Sequence, residues 1–110
     1  MSRDSLGEFE KLMMLAILQL GTDAYGATIL QELERRTGRT ASAGAVYVAL
    51  RRLEKKGMVS SEFGEPSPQR GGRPKRYFRV CEEGMEALRK AREEWDLMVE
   101  GLGPALEAEK

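Results

Sequence analysis

The segment from Gly64 to Pro74 constrains the fold of this chain most, because it cannot form a helix. It holds three of the four prolines and three of the twelve glycines in the 110-residue sequence. Proline lacks the amide donor that a helix interior needs, and glycine loses the most backbone entropy when it is ordered. Any fold of this chain must therefore accommodate a long loop at residues 64–74.

The segments on either side of this loop favour β-structure. Val59, Ser61 and Phe63 alternate in part with polar neighbours before the loop. Tyr77 and Phe78, which have aromatic side chains typical of strands, follow it. The pattern predicts an antiparallel hairpin with a long loop at its tip.

Apolar residues at helical spacing predict two helices near the N-terminus. The first spans residues 8–20, and the additional apolar residues Met14, Leu15 and Leu18 predict that it is buried on most sides. The second spans residues 27–36, with Asp23 as a candidate N-cap and Gly38 at its end.

A third helix is predicted within residues 40–57, with Thr40 or Ser42 as its N-cap and Gly57 at its end. Its apolar residues occur at i, i+3, i+4 and i+7 and define the buried face. These residues are Val46, Ala49, Leu50 and Leu53.

The last predicted helix begins near Glu82, and its apolar residues are spaced alternately by three and four. This heptad spacing indicates a seam that pairs with another helix, and Arg92 is a polar interruption that could set its register. Gly101 and Pro104 are expected to fray or end the helix. The seam consists of Met85, Leu88, Arg92, Trp95, Val99 and Leu102.

The formal net charge of zero conceals a separation of charge along the chain. Residues 1–34 sum to −4, residues 35–79 to +9 and residues 80–110 to −5. A basic middle between acidic ends indicates one face built for a polyanion.

The order of three helices, strand, basic loop, strand and helix is that of a winged helix-turn-helix, a mainly α fold with a small β-hairpin wing (α+β). In this fold the third helix enters the major groove of DNA and the wing reaches phosphates or the minor groove. The candidate contacts of the third helix are Ser42, Gly44, Tyr47 and Arg51. The candidate contacts of the wing are Arg70, Arg73, Lys75 and Arg76.

Each of these candidates has a structural alternative. The wing cations could belong to a solvated loop, and Ser42 and Gly44 could serve helix capping and the surface. Tyr47 could be partly buried against the wing. Lys55 and Lys56 are interpreted as solvated or distant phosphate contacts.

The sequence resembles the PadR family of bacterial transcriptional regulators over roughly residues 6–95. The resemblance is carried by the segments AYGATILQELERRTG, AGAVYVALRRLEKKGMV and GGRPKRYFRVCEEGMEAL. Three positions depart from the family pattern: Ala45 replaces a common threonine, Val48 a frequent proline, and Cys81 a threonine that caps the last helix. The resemblance implies a repressor that dimerises through its C-terminal helix. Many members of this family respond to small molecules or stress.

Trp95 is interpreted as a dimer-core aromatic residue, with a small-molecule pocket at the dimer centre as the alternative. The single cysteine, Cys81, excludes an internal disulfide, and the absence of histidine argues against an ordinary zinc site, so no metal or cofactor is expected. Without a histidine base or a glycine-rich phosphate loop, the sequence does not indicate an enzyme. No apolar run is long enough for a membrane helix, and the composition indicates a cytoplasmic chain.

The resulting hypothesis is a homodimeric regulator that binds a pseudo-palindromic site in double-stranded DNA, with release by a small-molecule effector as a further hypothesis. Residues 1–81 are assigned to the DNA-binding domain, 82–103 to a dimerisation helix and 104–110 to a flexible tail. The alternative function is a winged-helix module whose basic wing binds an acidic protein partner. RNA binding is a third option.

Overall fold

The computed structural model describes residues 6–65 and 74–107 of the chain. Three helices precede an antiparallel hairpin, and a long helix follows it, which confirms the predicted winged-helix order. The elements are α1 (Glu8–Leu20), a 3₁₀ turn (Gly21–Asp23), α2 (Gly26–Thr37), α3 (Ala43–Lys55), β1 (Val59–Phe63), β2 (Arg76–Val80), α4 (Glu82–Val99) and α5 (Gly103–Glu107).

Helix α1 has the predicted bounds but not the predicted burial. It packs against α2, α3 and β2 through one face, on which Met13, Met14 and Ile17 are buried. Leu15 and Leu18 lie on the other face and are 45% and 44% exposed. The prediction of burial on most sides is wrong, because the other described elements of the chain cover only one side of α1.

The N-cap of helix α2 is not Asp23, the predicted candidate, although the helix begins within one residue of its predicted start. Tyr25 is the N-cap residue, and its N–H donates to Thr28 Oγ1 at 3.0 Å. The Thr28 hydroxyl in turn donates to the Asp23 carbonyl oxygen at 2.6 Å, so Asp23 contributes its main chain. The helix ends at Gly38, as predicted, in the left-handed conformation that glycine adopts at low cost (φ 73°).

Helix α3 is capped by Ser42, whose Oγ accepts the Ala45 N–H at 3.0 Å. This hydrogen bond decides between the two predicted caps, Thr40 and Ser42. The predicted inward stripe is buried throughout, with Leu53 at 0% and Ala49 at 5% exposure. Gly57 follows the helix at φ 78° and turns the chain into β1.

The hairpin joins the helical core along both of its strands. Val59 lies opposite Val80 and Phe63 opposite Arg76 in the antiparallel register. The Phe78 N–H donates to the Ala24 carbonyl at 2.8 Å. The segment between α1 and α2 therefore lines the outer edge of β2 and fixes the wing to the helices.

Helix α4 rests on the base of the hairpin through its first turn. The Cys81 N–H donates to the Met58 carbonyl at 2.8 Å. A Cβ atom at Gly84 would lie 2.4 Å from the same carbonyl oxygen and 2.7 Å from Val80, so this close packing requires glycine. The Cys81 side chain makes no capping hydrogen bond, so this N-cap lacks the contact that a threonine hydroxyl can supply.

The segment predicted as one helix over residues 82–103 is divided. Helix α4 ends at Val99, Gly101 adopts φ 82°, and α5 begins at Gly103. Leu102 therefore lies between two helices and not within α4. Pro104 occupies the first turn of α5, where its missing amide costs no hydrogen bond, so it is compatible with a new helix inside the predicted tail.

Candidate nucleic-acid interface

The side of α3 opposite its buried stripe is exposed and basic. Tyr47 is 55% exposed, and Arg51, Arg52 and Lys55 are exposed beside it. Since side chains three and four residues apart share a helix face, these groups form one surface along α3. An α-helix fits the width of the major groove, where such side chains can reach base edges.

Tyr47 and Arg51 are joined on this surface. Arg51 Nη1 donates to the Tyr47 hydroxyl at 2.8 Å, and the guanidinium carbon lies 5.7 Å from the ring centroid. The guanidinium has five N–H donors, so this contact leaves others for a ligand. Tyr47 also lines the cleft between α3 and the hairpin, together with Phe63 and Lys75, although most of its surface is open.

The other two α3 candidates differ in what the fold requires of them. Ser42 Oγ accepts a hydrogen bond as the helix cap, so this residue has a structural role whether or not it contacts DNA. Gly44 has an ordinary backbone conformation, and a Cβ atom there would approach only Ser42 Oγ, at 3.8 Å. The protomer therefore does not require glycine at position 44.

Two of the four wing candidates are described, and Arg70 and Arg73 lie outside the described residues. The Lys75 Nζ lies 4.2 Å from the centroid of the Tyr25 ring. The Arg76 guanidinium lies 4.7 Å from the centroid of the Phe63 ring, its cross-strand neighbour. Both cations are only half-buried, so these aromatic contacts orient them at the protein surface.

A chain of hydrogen bonds connects Arg76 to α3. Arg76 Nε donates to Ser61 Oγ at 2.9 Å, and the Ser61 hydroxyl donates to Glu54 Oε2 at 2.7 Å. Arg76 also lines the groove that contains Tyr47 and Arg51. The contact of Ser61 with Glu54 was not predictable from the sequence, because it depends on how β1 packs against α3.

Part of the basic middle of the chain is neutralised within the fold. Arg35 and Arg36 both bind the Glu32 carboxylate, and Lys56 Nζ lies 2.9 Å from Glu10 Oε1. Within the described residues, no ion pair of 4.0 Å or less involves Arg51, Arg52 or Lys55. The charge available to a polyanion is therefore concentrated on α3 and the hairpin, and not spread over the whole segment from 35 to 79.

Two carboxylates have a lowered pKa. Burial alone raises the pKa of Glu10, but hydrogen bonds from Lys56 and the Gly7 N–H, with the charges of Lys56 and Arg52, outweigh it and hold this pKa below its ordinary value. Hydrogen bonds from Arg36 and Arg35 lower the pKa of Glu32. Both groups are ionised at neutral pH and hold cations of the basic segment.

The predicted seam of α4 has two parts. Met85 and Leu88 are half-buried, and Leu88 packs against the core of the protomer. Beyond them Arg92 is exposed, 3.6 Å from Asp96, and Trp95 is 67% exposed. Val99 is half-buried at the end of the helix, and Leu102 is 44% exposed after it.

Other exposed apolar residues lie outside the predicted seam. Leu15 and Leu18 are on α1, and Met98, next to the seam on α4, is 76% exposed. The signal for the α1 pair was present in the sequence as an apolar surface too wide for one face. That width predicted a helix buried on most sides.

The described residues contain no group of three histidine, cysteine or acidic side chains placed to hold a metal ion. Cys81 is a free, half-buried thiol. No helix in the described part of the chain is long and apolar enough to cross a membrane.

Comparison with known proteins identifies the relatives of this fold. The family model described as "Transcriptional regulator PadR-like family" matches residues 14–90. A PadR family regulator from Eggerthella lenta is 31% identical, with 93% of this chain and 88% of that chain covered and a TM-score of 0.68. No curated protein matches the sequence.

Two more distant structures share the fold. A PadR family regulator from Clostridium difficile is 23% identical over 89% of this chain and 98% of that chain, with a TM-score of 0.69. A PadR-like regulator from Bacillus cereus is 21% identical over 92% of this chain and 93% of that chain, with a TM-score of 0.72.

Proposed function

The chain belongs to the PadR-like family of transcriptional regulators, and from that premise we propose that it is a repressor that binds a pseudo-palindromic operator as a homodimer. The family implies a regulator that binds DNA. The repressor activity, the operator symmetry and the contacting residues are the substance of the proposal.

The exposed face of α3 is the observation that carries the proposal. Tyr47 and Arg51 are held together at its centre, and Arg51 has donors left for the O6 and N7 atoms of guanine. Ser42 and Gly44 lie at the N-terminal end of the helix, the end that contacts base edges in helix-turn-helix proteins. The α3 helices of two protomers would enter major grooves about one helical turn apart.

The wing is proposed to contact the flanking backbone. Lys75 and Arg76 are oriented by Tyr25 and Phe63, and Arg70 and Arg73 precede them in the sequence. Arginine suits both bidentate phosphate contacts and entry into a narrow minor groove. These four cations would supply salt-sensitive affinity, and α3 would supply the sequence preference.

Dimerisation is proposed to use the exposed apolar residues on the seam side of α4 and on α1. Large exposed apolar patches are characteristic of interaction sites, and Trp95, Met98, Leu15 and Leu18 are all more than two-fifths exposed. The predicted seam, Met85, Leu88, Arg92, Trp95, Val99 and Leu102, would form the centre of the contact.

An effector is proposed to act at the dimer centre, where the two Trp95 side chains would face each other. A ligand between them would favour a dimer whose α3 spacing does not match the operator, since a ligand shifts an equilibrium by its differential affinity for two states. Equal operator affinity with and without candidate planar aromatic ligands would contradict this part of the proposal.

The proposal is tested by fluorescence anisotropy with duplex DNA from upstream of the gene and a shuffled duplex, at two salt concentrations. We expect a preference for the native duplex that persists at the higher salt. Arg51→Ala should reduce that preference by about tenfold or more, because a bidentate base contact contributes about 1–3 kcal/mol. Lys90→Ala is the charge-matched control, since Lys90 is exposed on the polar side of α4.

Two results would contradict this function. Equal, salt-sensitive binding to both duplexes would indicate a general polyanion site, and RNA binding would then be an alternative function. Absence of binding at either salt would favour the alternative module that binds an acidic protein.

A further inference from the structure

The exposed ridge of α3, which lies wholly within the described residues, includes one apolar side chain among glycine and cations. Gly44, Val48, Arg51 and Lys55 follow one another at i, i+4, i+7 and i+11. At 100° per residue, this spacing places them on the side of the helix directly opposite the buried stripe. Val48 is 48% exposed, whereas Val46, two residues earlier, is 2% exposed.

The position of Val48 is accessible from both sides of α3. It lines the groove toward the hairpin, shared with Arg51 and Arg76, and the groove toward the start of α1, shared with Phe9. Gly44, one turn earlier, has no side chain to hold a ligand away, and the protomer does not require glycine there. A surface that approaches α3 closely would therefore meet the methyl groups of Val48.

On the basis of the proposed function, we propose that Val48 contacts the C5 methyl group of a thymine in each half-site and so determines specificity. The Val48 side chain can neither donate nor accept a hydrogen bond, which leaves it without a partner among the polar groups of the base edges. Thymine alone presents a methyl group in the major groove.

The spacing along α3 relates this thymine to the base that Arg51 contacts. Three residues of helix advance about 4.5 Å, and successive base pairs are about 3.4 Å apart. A thymine contacted by Val48 therefore lies within one or two base pairs of a guanine contacted by Arg51. We therefore expect each half-site to contain a thymine within one or two base pairs of a guanine.

The experiment begins with selection of binding duplexes from a random pool by the full-length protein. Each thymine of the selected half-site is then replaced by deoxyuridine, which removes only the C5 methyl group. At one position the native protein should lose about fourfold in affinity per half-site, the value of one buried methyl group. Val48→Ala should discriminate less between the thymine and deoxyuridine duplexes than the native protein does, because the two Cγ methyl groups are lost.

Lys55→Ala is the matched control on the same ridge. Loss of a cation should weaken binding to both duplexes by the same factor, so the fourfold discrimination should remain. Circular dichroism and sedimentation must show that Val48→Ala keeps the helical content and oligomeric state of the native protein.

Two results separate this inference from the proposed function. If a motif is selected but no deoxyuridine substitution weakens binding, or if Val48→Ala keeps the fourfold discrimination, the role of Val48 is contradicted and the regulator remains. If no motif is selected at all, the proposed function fails, and the role of Val48 fails with it.

Discussion

Gly44 is a residue whose identity the isolated protomer does not explain. Its backbone conformation is open to any residue, and a Cβ atom would meet only Ser42 Oγ at van der Waals distance. Glycine in a helix is less stable than alanine by up to about 1 kcal/mol. Glycine here therefore costs stability, and the proposed close approach of DNA to α3 would explain that cost.

Gly44→Ala should consequently change stability and DNA affinity in opposite directions. The midpoint of thermal unfolding should rise, because alanine favours the helix, while operator affinity should fall severalfold as the added methyl group separates α3 from the bases. Thermal unfolding and anisotropy on one preparation measure both quantities. An affinity equal to that of the native protein would show that DNA does not approach Gly44.

Glu10 and Lys56 connect the start of α1 to the end of α3 through a largely buried ion pair, with side-chain exposures of 9% and 22%. The pKa of Glu10 is lowered in the folded state, so its contribution to stability is fully present above its unfolded pKa, near 4.5, and is lost as the pH falls through the folded value. Glu10→Gln should reduce the free energy of unfolding by about 1–3 kcal/mol at pH 7. The difference from the native protein should shrink below pH 4.5.

Urea unfolding at pH 7 and at pH 3.5, at one protein concentration, measures this difference. Glu8→Gln is the matched control. Glu8 is on the same turn of α1 as Glu10 and forms an ion pair of 3.6 Å with Arg39, but the Glu8 side chain is 80% exposed. That control should change stability by less than about 0.5 kcal/mol at either pH. A Glu10→Gln effect that is the same at both pH values would contradict the assigned ion pair.

At the scale of elements, local patterns predicted the helices and strands well. Helix α1 has its predicted bounds, α3 starts at a predicted cap, and both strands lie within their predicted segments. These features depend on residues close in sequence, such as Ser42 with Ala45 or Gly38 at the end of α2. The order of the elements then predicted their winged-helix arrangement, and the family resemblance agreed with it.

Features that depend on distant residues were not predictable in the same way. The start of α2 depends on Thr28 and on the pairing of Ala24 with Phe78, and not on Asp23 alone. The link from Arg76 through Ser61 to Glu54 requires the packing of the hairpin on α3. The exposure of Leu15 depends on which other elements of the chain pack against α1.

The hydrogen-bonded link between the hairpin and α3 can be tested separately from a direct contact of Arg76 with phosphate. Ser61→Ala breaks the hydrogen bonds to Arg76 and Glu54 but keeps the Arg76 charge. Arg76→Ala removes both the link and the charge. If Arg76 contacts one phosphate in each half-site, Arg76→Ala should reduce the slope of log affinity against log salt by about 1.8 for the dimer.

Ser61→Ala should lower affinity only modestly and leave that salt slope unchanged. Anisotropy titrations of both variants over a series of salt concentrations measure the slopes. Equal slopes for Arg76→Ala and the native protein would show that Arg76 positions the wing without touching the backbone.

For the molecule as a whole, two exposed apolar residues of α4 allow the proposed dimer seam to be compared with an ordinary surface. Trp95 and Leu97 are almost equally exposed, at 67% and 66%, yet they lie on different sides of the helix. Trp95 belongs to the predicted seam, and Leu97 lies among the acidic and basic residues of the polar side. Because the two residues are equally exposed but lie on different sides of α4, the effects of substituting them can be compared directly.

Trp95→Ala should weaken the dimer by about 30-fold, since an aromatic residue at the centre of an interface contributes about 2 kcal/mol or more. Leu97→Ala should leave the dissociation constant within about twofold of the native value. Sedimentation velocity over a dilution series measures both. Unchanged sedimentation of Trp95→Ala would place the dimer contact elsewhere or show that the chain is monomeric.

The claim that two copies of α3 contact one symmetric operator can be tested with the duplexes that the native protein selects from a random pool at physiological salt. We expect an enriched motif with two inverted half-sites whose centres lie about 10 base pairs apart. Footprinting should then protect both half-sites at one dimer per duplex. A single asymmetric motif, or no enriched motif, would contradict the claim.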